Sequence, residues 1–203
     1  FYWLNRQARL QPLLENDKYF LFLLPVEPEF TVNSLGRSFS DVKSLIWNIS
    51  IRLPTGYKLL IKEHAKFGFR NMKFYSDLLS LPNVRISDIR VPGSDLAAAS
   101  SGVFSIAGTS PIEAGMFGLP SIIFSDSVEY DALSFVHRCS SFRDLSTLIT
   151  SHFIKNNEPK NQIIEETKRY LVALEGVSFD APNSLLFGGD GKTKVDLDRV
   201  MYL

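Results

Sequence analysis

Three stretches of the sequence set polar residues where apolar runs end, the places at which an α/β fold presents groups to a ligand. The first is Gly102-Val-Phe-Ser-Ile-Ala-Gly108-Thr109-Ser110-Pro111-Ile112-Glu113-Ala114-Gly115. An apolar run enters Gly108, which lets the backbone turn sharply, and Thr109-Ser110 then offer hydroxyls to cap a helix with Pro111 in its first turn. Unpaired backbone N–H groups and the positive end of a helix dipole favour an anion, phosphate above all. Glu113 follows about one turn into the helix. There it either accepts hydrogen bonds from two vicinal hydroxyls, as a ribose presents, or closes a capping box; spacing leaves both open.

The second stretch is Tyr57-Lys-Leu-Leu-Ile-Lys62-Glu63-His64-Ala65-Lys66. A strand here delivers its polar end to the sheet edge where open α/β sheets bind ligands. His64 can donate to a phosphate oxygen, more strongly when protonated, and Lys62 or Lys66 would add positive charge. A solvated loop histidine fits the same residues. The third stretch, Leu24-Pro25-Val26-Glu27-Pro28-Glu29, is a loop stiffened by two prolines. Glu27 and Glu29 can meet sugar hydroxyls or simply face water. Tyr130, behind Asp126-Ser-Val-Glu129, can close over a base or sugar, with surface packing as the plainer expectation.

The other reactive residue types read as structural. His137 falls in a strand as a partly buried histidine, and His152 sits near a helix end where its charge would suit the dipole. Cys139 has no histidine at a spacing that suggests a nucleophile, so it reads as core. Trp3, Trp47 and the abundant phenylalanines read as core filling. No cluster of Asp, Glu or His suggests a metal, and no cofactor is implied.

Elements must hold these groups in place. Strand-length apolar runs fall at 19–25, 57–62, 84–87, 102–107, 120–124 and 135–138, with helically spaced segments between them. That alternation predicts βα units and a parallel sheet covered by helices on both faces. Ser40-Asp41 caps a helix to about Leu53, Asn71 to Leu81 forms another, and a short one covers Asp95 to Ser100. Further helices start at Ser110 and cover about 142–153 and 159–174. The expected division is one Rossmann-like domain over 1–176, then a tail or short packing helix over 177–203.

Composition narrows the function classes. The 203 residues carry 22 Lys plus Arg against 22 Asp plus Glu, so no net field draws the chain to nucleic acid or an anionic membrane. One cysteine excludes an internal disulfide framework and fits a reducing compartment. The longest apolar run, at 19–26, is too short to cross a bilayer. The chain opens at Phe1, which suggests a cut inside a longer protein.

Together these motifs resemble the bacterial capsule and surface-polysaccharide synthesis family, related to retaining Kdo transferases of GT-B architecture. The counterparts are Glu27-Pro28-Glu29, Pro54-Thr55-Gly56-Tyr57, Lys62-Glu63-His64-Ala65, Leu81-Pro82-Asn83-Val84, Gly108-Thr109-Ser110-Pro111-Ile112-Glu113-Ala114 and Gly118-Leu119-Pro120, in the family's order over about 15–150. The resemblance implies the C-terminal half of a GT-B enzyme. It would bind a nucleotide-sugar donor, CMP-Kdo or another, and act on a glycan acceptor. By the same resemblance His64, Gly108, Thr109 and Ser110 would hold the donor phosphate and Glu113 the ribose. The catalytic group would lie on an N-terminal Rossmann-like domain facing this one, so no catalytic residue is assigned. The location implied is cytoplasmic, or peripheral at the inner membrane. Ala65 stands where the family has proline and Glu27 where it has glutamine. These departures keep a non-catalytic nucleotide or glycan module as an alternative, beside a nucleotide-sugar epimerase of the same architecture.

Overall fold

The computed structural model describes residues 2–14, 16–25, 36, 39–64, 70–125, 129–155 and 158–177. Six strands form one sheet: β1 (Lys18–Leu23), β2 (Tyr57–Lys62), β3 (Val84–Ile86), β4 (Val103–Ser105), β5 (Ser121–Ile123) and β6 (Val136–Arg138). Every pair is parallel, and the order across the sheet is β3-β2-β1-β4-β5-β6. This is the doubly wound order, in which the chain reverses direction between β1 and β4 and leaves a crevice at their carboxyl ends. All six expected strands are present and the α/β Rossmann-like class holds.

Both faces of the sheet are buried, and the pleat sorts side chains between them. Phe20 and Phe22 of β1 enter one apolar cluster, and Tyr19 and Leu21 enter the other. On the first face lie α1 (Tyr2–Leu10), α2 (Val42–Ser50) and α3 (Met72–Leu79), which contribute Leu4, Leu45, Ile46, Ile49, Tyr75 and Leu78. The second face is covered by α4 (Gly93–Ala98) and α5 (Ser110–Met116) through Ala97 and Ala114. Phe20 stacks on Tyr57 and on Phe153, each at 4.8 Å between ring centroids, so part of the phenylalanine surplus does fill the core. Trp47 does not. It is 52% exposed, on the outer side of α2.

The expected caps formed in part. The Asp41 carboxylate accepts a hydrogen bond from the Ser44 amide at 3.2 Å and opens α2. At the end of α5, Gly118 takes a positive φ of 69°. Its amide donates to the Gly115 carbonyl and the Leu119 amide to that of Ala114, a left-handed closure that turns the chain into β5. The helix expected over 142–153 begins later, as α6 (Leu145–Leu148), and continues as a π-helical turn (Ile149–Ile154). Helix α1 is not expected from the sequence, because its mainly polar residues carry only Trp3 and Leu4 to the core.

The chain divides into two compact units, Phe1–Thr167 and Lys168–Leu203. Of the second, residues 168–177 are described, and they belong to helix α7 (Lys160–Val177).

Candidate functional site

Strand register decides which polar groups meet. Leu23 of β1 pairs with Lys62 of β2, and Phe22 pairs with Phe104 of β4. The three strands therefore end level, and the segments after β2 and β4 leave the same edge of the sheet, one on each side of β1. Two strand spacings put those exits about 10 Å apart. Such a separation suits an extended ligand better than a single inorganic ion.

The β4 exit is the turn at Gly108. Its φ is 107°, a conformation that favours glycine, and nothing among the described residues lies within 4 Å of where a Cβ would stand. The turn is therefore open on its outer side. Its inner side is braced by Tyr130, whose hydroxyl donates to the Gly108 carbonyl at 2.5 Å. The Tyr130 ring is only 5% exposed. That corrects the expectation of surface packing: Tyr130 is buried and supports the turn from within.

Thr109 occupies the cap of α5 with no side-chain hydrogen bond to the helix amides, and a proline follows within the first turn. The Thr109 hydroxyl donates instead to Glu113 Oε1 at 2.8 Å. The capping role expected for that hydroxyl is thus not taken up. Glu113 is exposed and is drawn one turn back toward Gly108, with the carboxylate beside the turn. Ser110 is the first helical residue and half-buried.

At the β2 exit three consecutive polar residues have three different fates. His64 is exposed. Lys62 is 6% exposed, and its ammonium donates to the carbonyls of Ile89 at 2.7 Å and Glu63 at 3.1 Å. Burial lowers its pKa, against the opposing pull of the Asp88 and Glu63 charges. Two of the three Lys62 ammonium donors thus go to the protein's own backbone. Glu63, 2% exposed, is the centre of a buried network. Its carboxylate receives the His64 amide at 2.8 Å, Arg70 at 3.0 Å to both oxygens, and the Tyr75 hydroxyl at 2.5 Å. Burial, then the bond to Glu63, raises the Tyr75 pKa. A cleft of about 300 Å³ opens here, lined by His64, Lys62 and the turn Ile89–Gly93 among others.

Sequence reasoning passed over Glu63, Arg70 and Tyr75 as site-building residues. The signal for Glu63 was available: it continues the row of Leu59 and Ile61, both in the first-face core, so its carboxylate must point inward and needs a cation. Nothing marked Arg70 as that cation. Glu27, Glu29, Ala65 and Lys66 lie outside the described residues.

The remaining histidines meet each other. His137 of β6 and His152 of the π-helical turn stack with ring centroids 3.4 Å apart and an interplanar angle of 22°. Burial lowers both pKa values, and His152 adds to the shift that brings His137 to about 4. His152 is therefore held toward the neutral form, the opposite of the charged, dipole-facing role expected for it. Cys139 is core as expected, 1% exposed with its pKa raised to about 11 by burial. Among the described residues no three His, Cys, Asp or Glu side chains gather as a metal site, and no helix is long and apolar enough to cross a membrane.

No family model matches the chain, and no curated protein matches it. Solved structures do. The UDP-GlcNAc 2-epimerase of Methanocaldococcus jannaschii superposes with a TM-score of 0.56 at 15% identity, over 86% of this chain and 48% of that one. The β Kdo 2,7 transferase KpsC of Thermosulfurimonas dismutans gives 0.51 at 16% identity, over 85% and 62%. The UDP-GlcNAc 2-epimerase of Neisseria meningitidis, solved with UDP-GlcNAc bound, gives 0.51 at 20%, over 84% and 48%. At these identities the likeness is one of fold, a Rossmann-like half of a GT-B architecture. The chain spans about half to three-fifths of the length of these proteins.

Proposed function

We propose that this chain is the C-terminal, donor-binding half of a glycosyltransferase that moves a sugar from a nucleotide-sugar to a capsule or surface polysaccharide, in the cytoplasm or at the inner membrane face. The observation that carries the reading is the open turn at Gly108. It lies at the switch point of the sheet, with Glu113 drawn up beside it and His64 leaving the same sheet edge. Two comparisons support it: one protein of this fold is a Kdo transferase, and another was solved holding UDP-GlcNAc. The motif order shared with capsule-synthesis proteins points to the transferase and to a donor such as CMP-Kdo.

In this reading the amides at the start of α5 and the His64 side chain take the phosphate charge that builds as the sugar leaves, from fixed positions that need no reorganisation. Glu113, with Oε1 already bound to the Thr109 hydroxyl, accepts from ribose hydroxyls. The attacking group and its base belong to the facing half of the enzyme.

The test is a melting-temperature titration with CMP, UDP and GDP. One nucleotide at about a hundred times its Kd should stabilise the protein by about 2.7 kcal/mol. His64→Ala and Glu113→Ala should each weaken that nucleotide on the order of tenfold, since a hydrogen bond to a charged group contributes about 1.5–3 kcal/mol. Indifference to all three nucleotides refutes donor binding. The fold is equally that of UDP-GlcNAc 2-epimerases, which makes an epimerase the second reading. Full-length enzyme that interconverts a nucleotide-sugar with its epimer, in the absence of acceptor, would establish that reading and exclude the transferase.

A further inference from the structure

His64 stands at the end of β2, beyond the last ladder pair Leu23 with Lys62. Its position is nevertheless fixed by the neighbouring side chain, because the Glu63 carboxylate accepts the His64 amide at 2.8 Å. That carboxylate is in turn held by Arg70, one guanidinium nitrogen lying 3.0 Å from each oxygen, and by the Tyr75 hydroxyl of α3. A second guanidinium nitrogen of Arg70 donates to the Pro25 carbonyl at 2.7 Å, in the segment that leaves β1. The side chains of Arg70 and Glu63 are 7% and 2% exposed. One buried ion pair therefore ties together the exits of β1 and β2 and the start of α3.

A buried ion pair is weak evidence for stability, since neutral side chains of similar volume often serve as well. What this pair does supply is geometry. With one guanidinium nitrogen bridging both oxygens, and with the Tyr75 hydroxyl and a backbone amide as further donors, the carboxylate has one orientation, and the His64 backbone has one with it.

We infer that Glu63 and Arg70 are positioning residues, an ion pair that fixes His64 at the mouth of the donor crevice; the inference deepens the donor-site reading and rests on it for its purpose. Neither residue touches donor. Their contribution is made through His64.

Two measurements test this on the full chain. In the nucleotide-free protein the His64 amide should exchange slowly by NMR. The double variant Glu63→Met/Arg70→Met, which removes both charges and the acceptor of the His64 amide at similar volume, should speed that exchange about tenfold or more while the amides of Leu59 to Ile61 stay protected. A His64 amide that exchanges freely in the native protein, or at the same rate in the variant, overturns the inference. Affinities for CMP, UDP and GDP then give a double-mutant cycle. Removing the pair should weaken the bound nucleotide on the order of tenfold when His64 is present, and have no further effect in His64→Ala. Equal losses in both backgrounds mean a merely structural pair and overturn the inference. Should no nucleotide bind the native protein, the donor reading falls by itself and the amide exchange alone decides the role of the pair.

Discussion

Mild acid should destabilise this protein chiefly through one pair of histidines. His137 and His152 stack at 3.4 Å, between the edge strand β6 and the π-helical turn, and the fold holds the His137 pKa near 4 against an ordinary 6.5. A depressed pKa on a base means that the folded state prefers the neutral ring and the unfolded chain binds the proton first. Stability is therefore complete above about pH 6.5 and is lost as pH falls toward 4, where the folded ring also protonates. Integrated from about pH 8 down to about pH 4.5, the His137 shift amounts to about 2.5 kcal/mol. The His152 shift has the same sign and adds to it, while Glu158, whose pKa burial raises, works weakly the other way in the same window. Asp88 and Asp77, both held low by basic partners, lose stability in the same direction from about pH 5 downward and add only slightly at the acid end of the window. Urea denaturation across that range should show the loss in the native protein and a much flatter profile in His137→Phe, which keeps a stacking ring without the proton. An NMR titration of the ring protons is the direct check. A midpoint near 6.5 for His137, or an unchanged slope in His137→Phe, refutes the reasoning.

Two glycines should respond to alanine for different reasons. At Gly115 a Cβ would stand 2.3 Å from Thr167 Oγ1 and 2.5 Å from Phe135 Cζ. Gly115→Ala should therefore lower stability by about 1–3 kcal/mol by overpacking, read as a drop in melting temperature. At Gly108 the space is open and only the backbone objects. Gly108→Ala should cost about 1–2 kcal/mol of strain, keep the fold by circular dichroism, and weaken nucleotide binding beyond what the stability loss explains. Native affinity in Gly108→Ala would remove the turn from the site.

The sheet was legible because its signals are local. Each strand is an apolar run bounded by turn residues, and a parallel sheet covered on both faces follows once βα units alternate, whereas the order β3-β2-β1-β4-β5-β6 is seen only in the fold. The caps were legible where one side chain decides them, as at Asp41. Helix α1 was not, since a polar nine-residue segment shows itself only through what Trp3 and Leu4 pack against, Trp3 lying 6.3 Å from the Tyr75 ring. Tyr130 and the Thr109 hydroxyl went astray for a related reason. Each has two partners within reach, and only the folded backbone selects the Gly108 carbonyl for one and Glu113 for the other. The His137 and His152 stack joins residues 15 apart through a π-helical turn, a register that ordinary helical spacing does not anticipate.

The segment Lys62-Glu63-His64 shows how the pleat turns a polar cluster into a division of labour. Read in sequence, the three residues form one reactive patch. In the sheet Lys62 follows Leu60 on the second face and spends its donors on the Ile89 and Glu63 carbonyls. Glu63 follows Ile61 on the first face and meets Tyr75 and Arg70. His64 lies past the last ladder pair and is exposed, with its amide donated to the Glu63 carboxylate. A buried lysine and a buried glutamate each need partners or they destabilise the fold, so alternation alone obliges both to be satisfied inside the protein. The residue beyond the strand is under no such obligation, and its exposure at the sheet edge is what the donor-site proposal draws on.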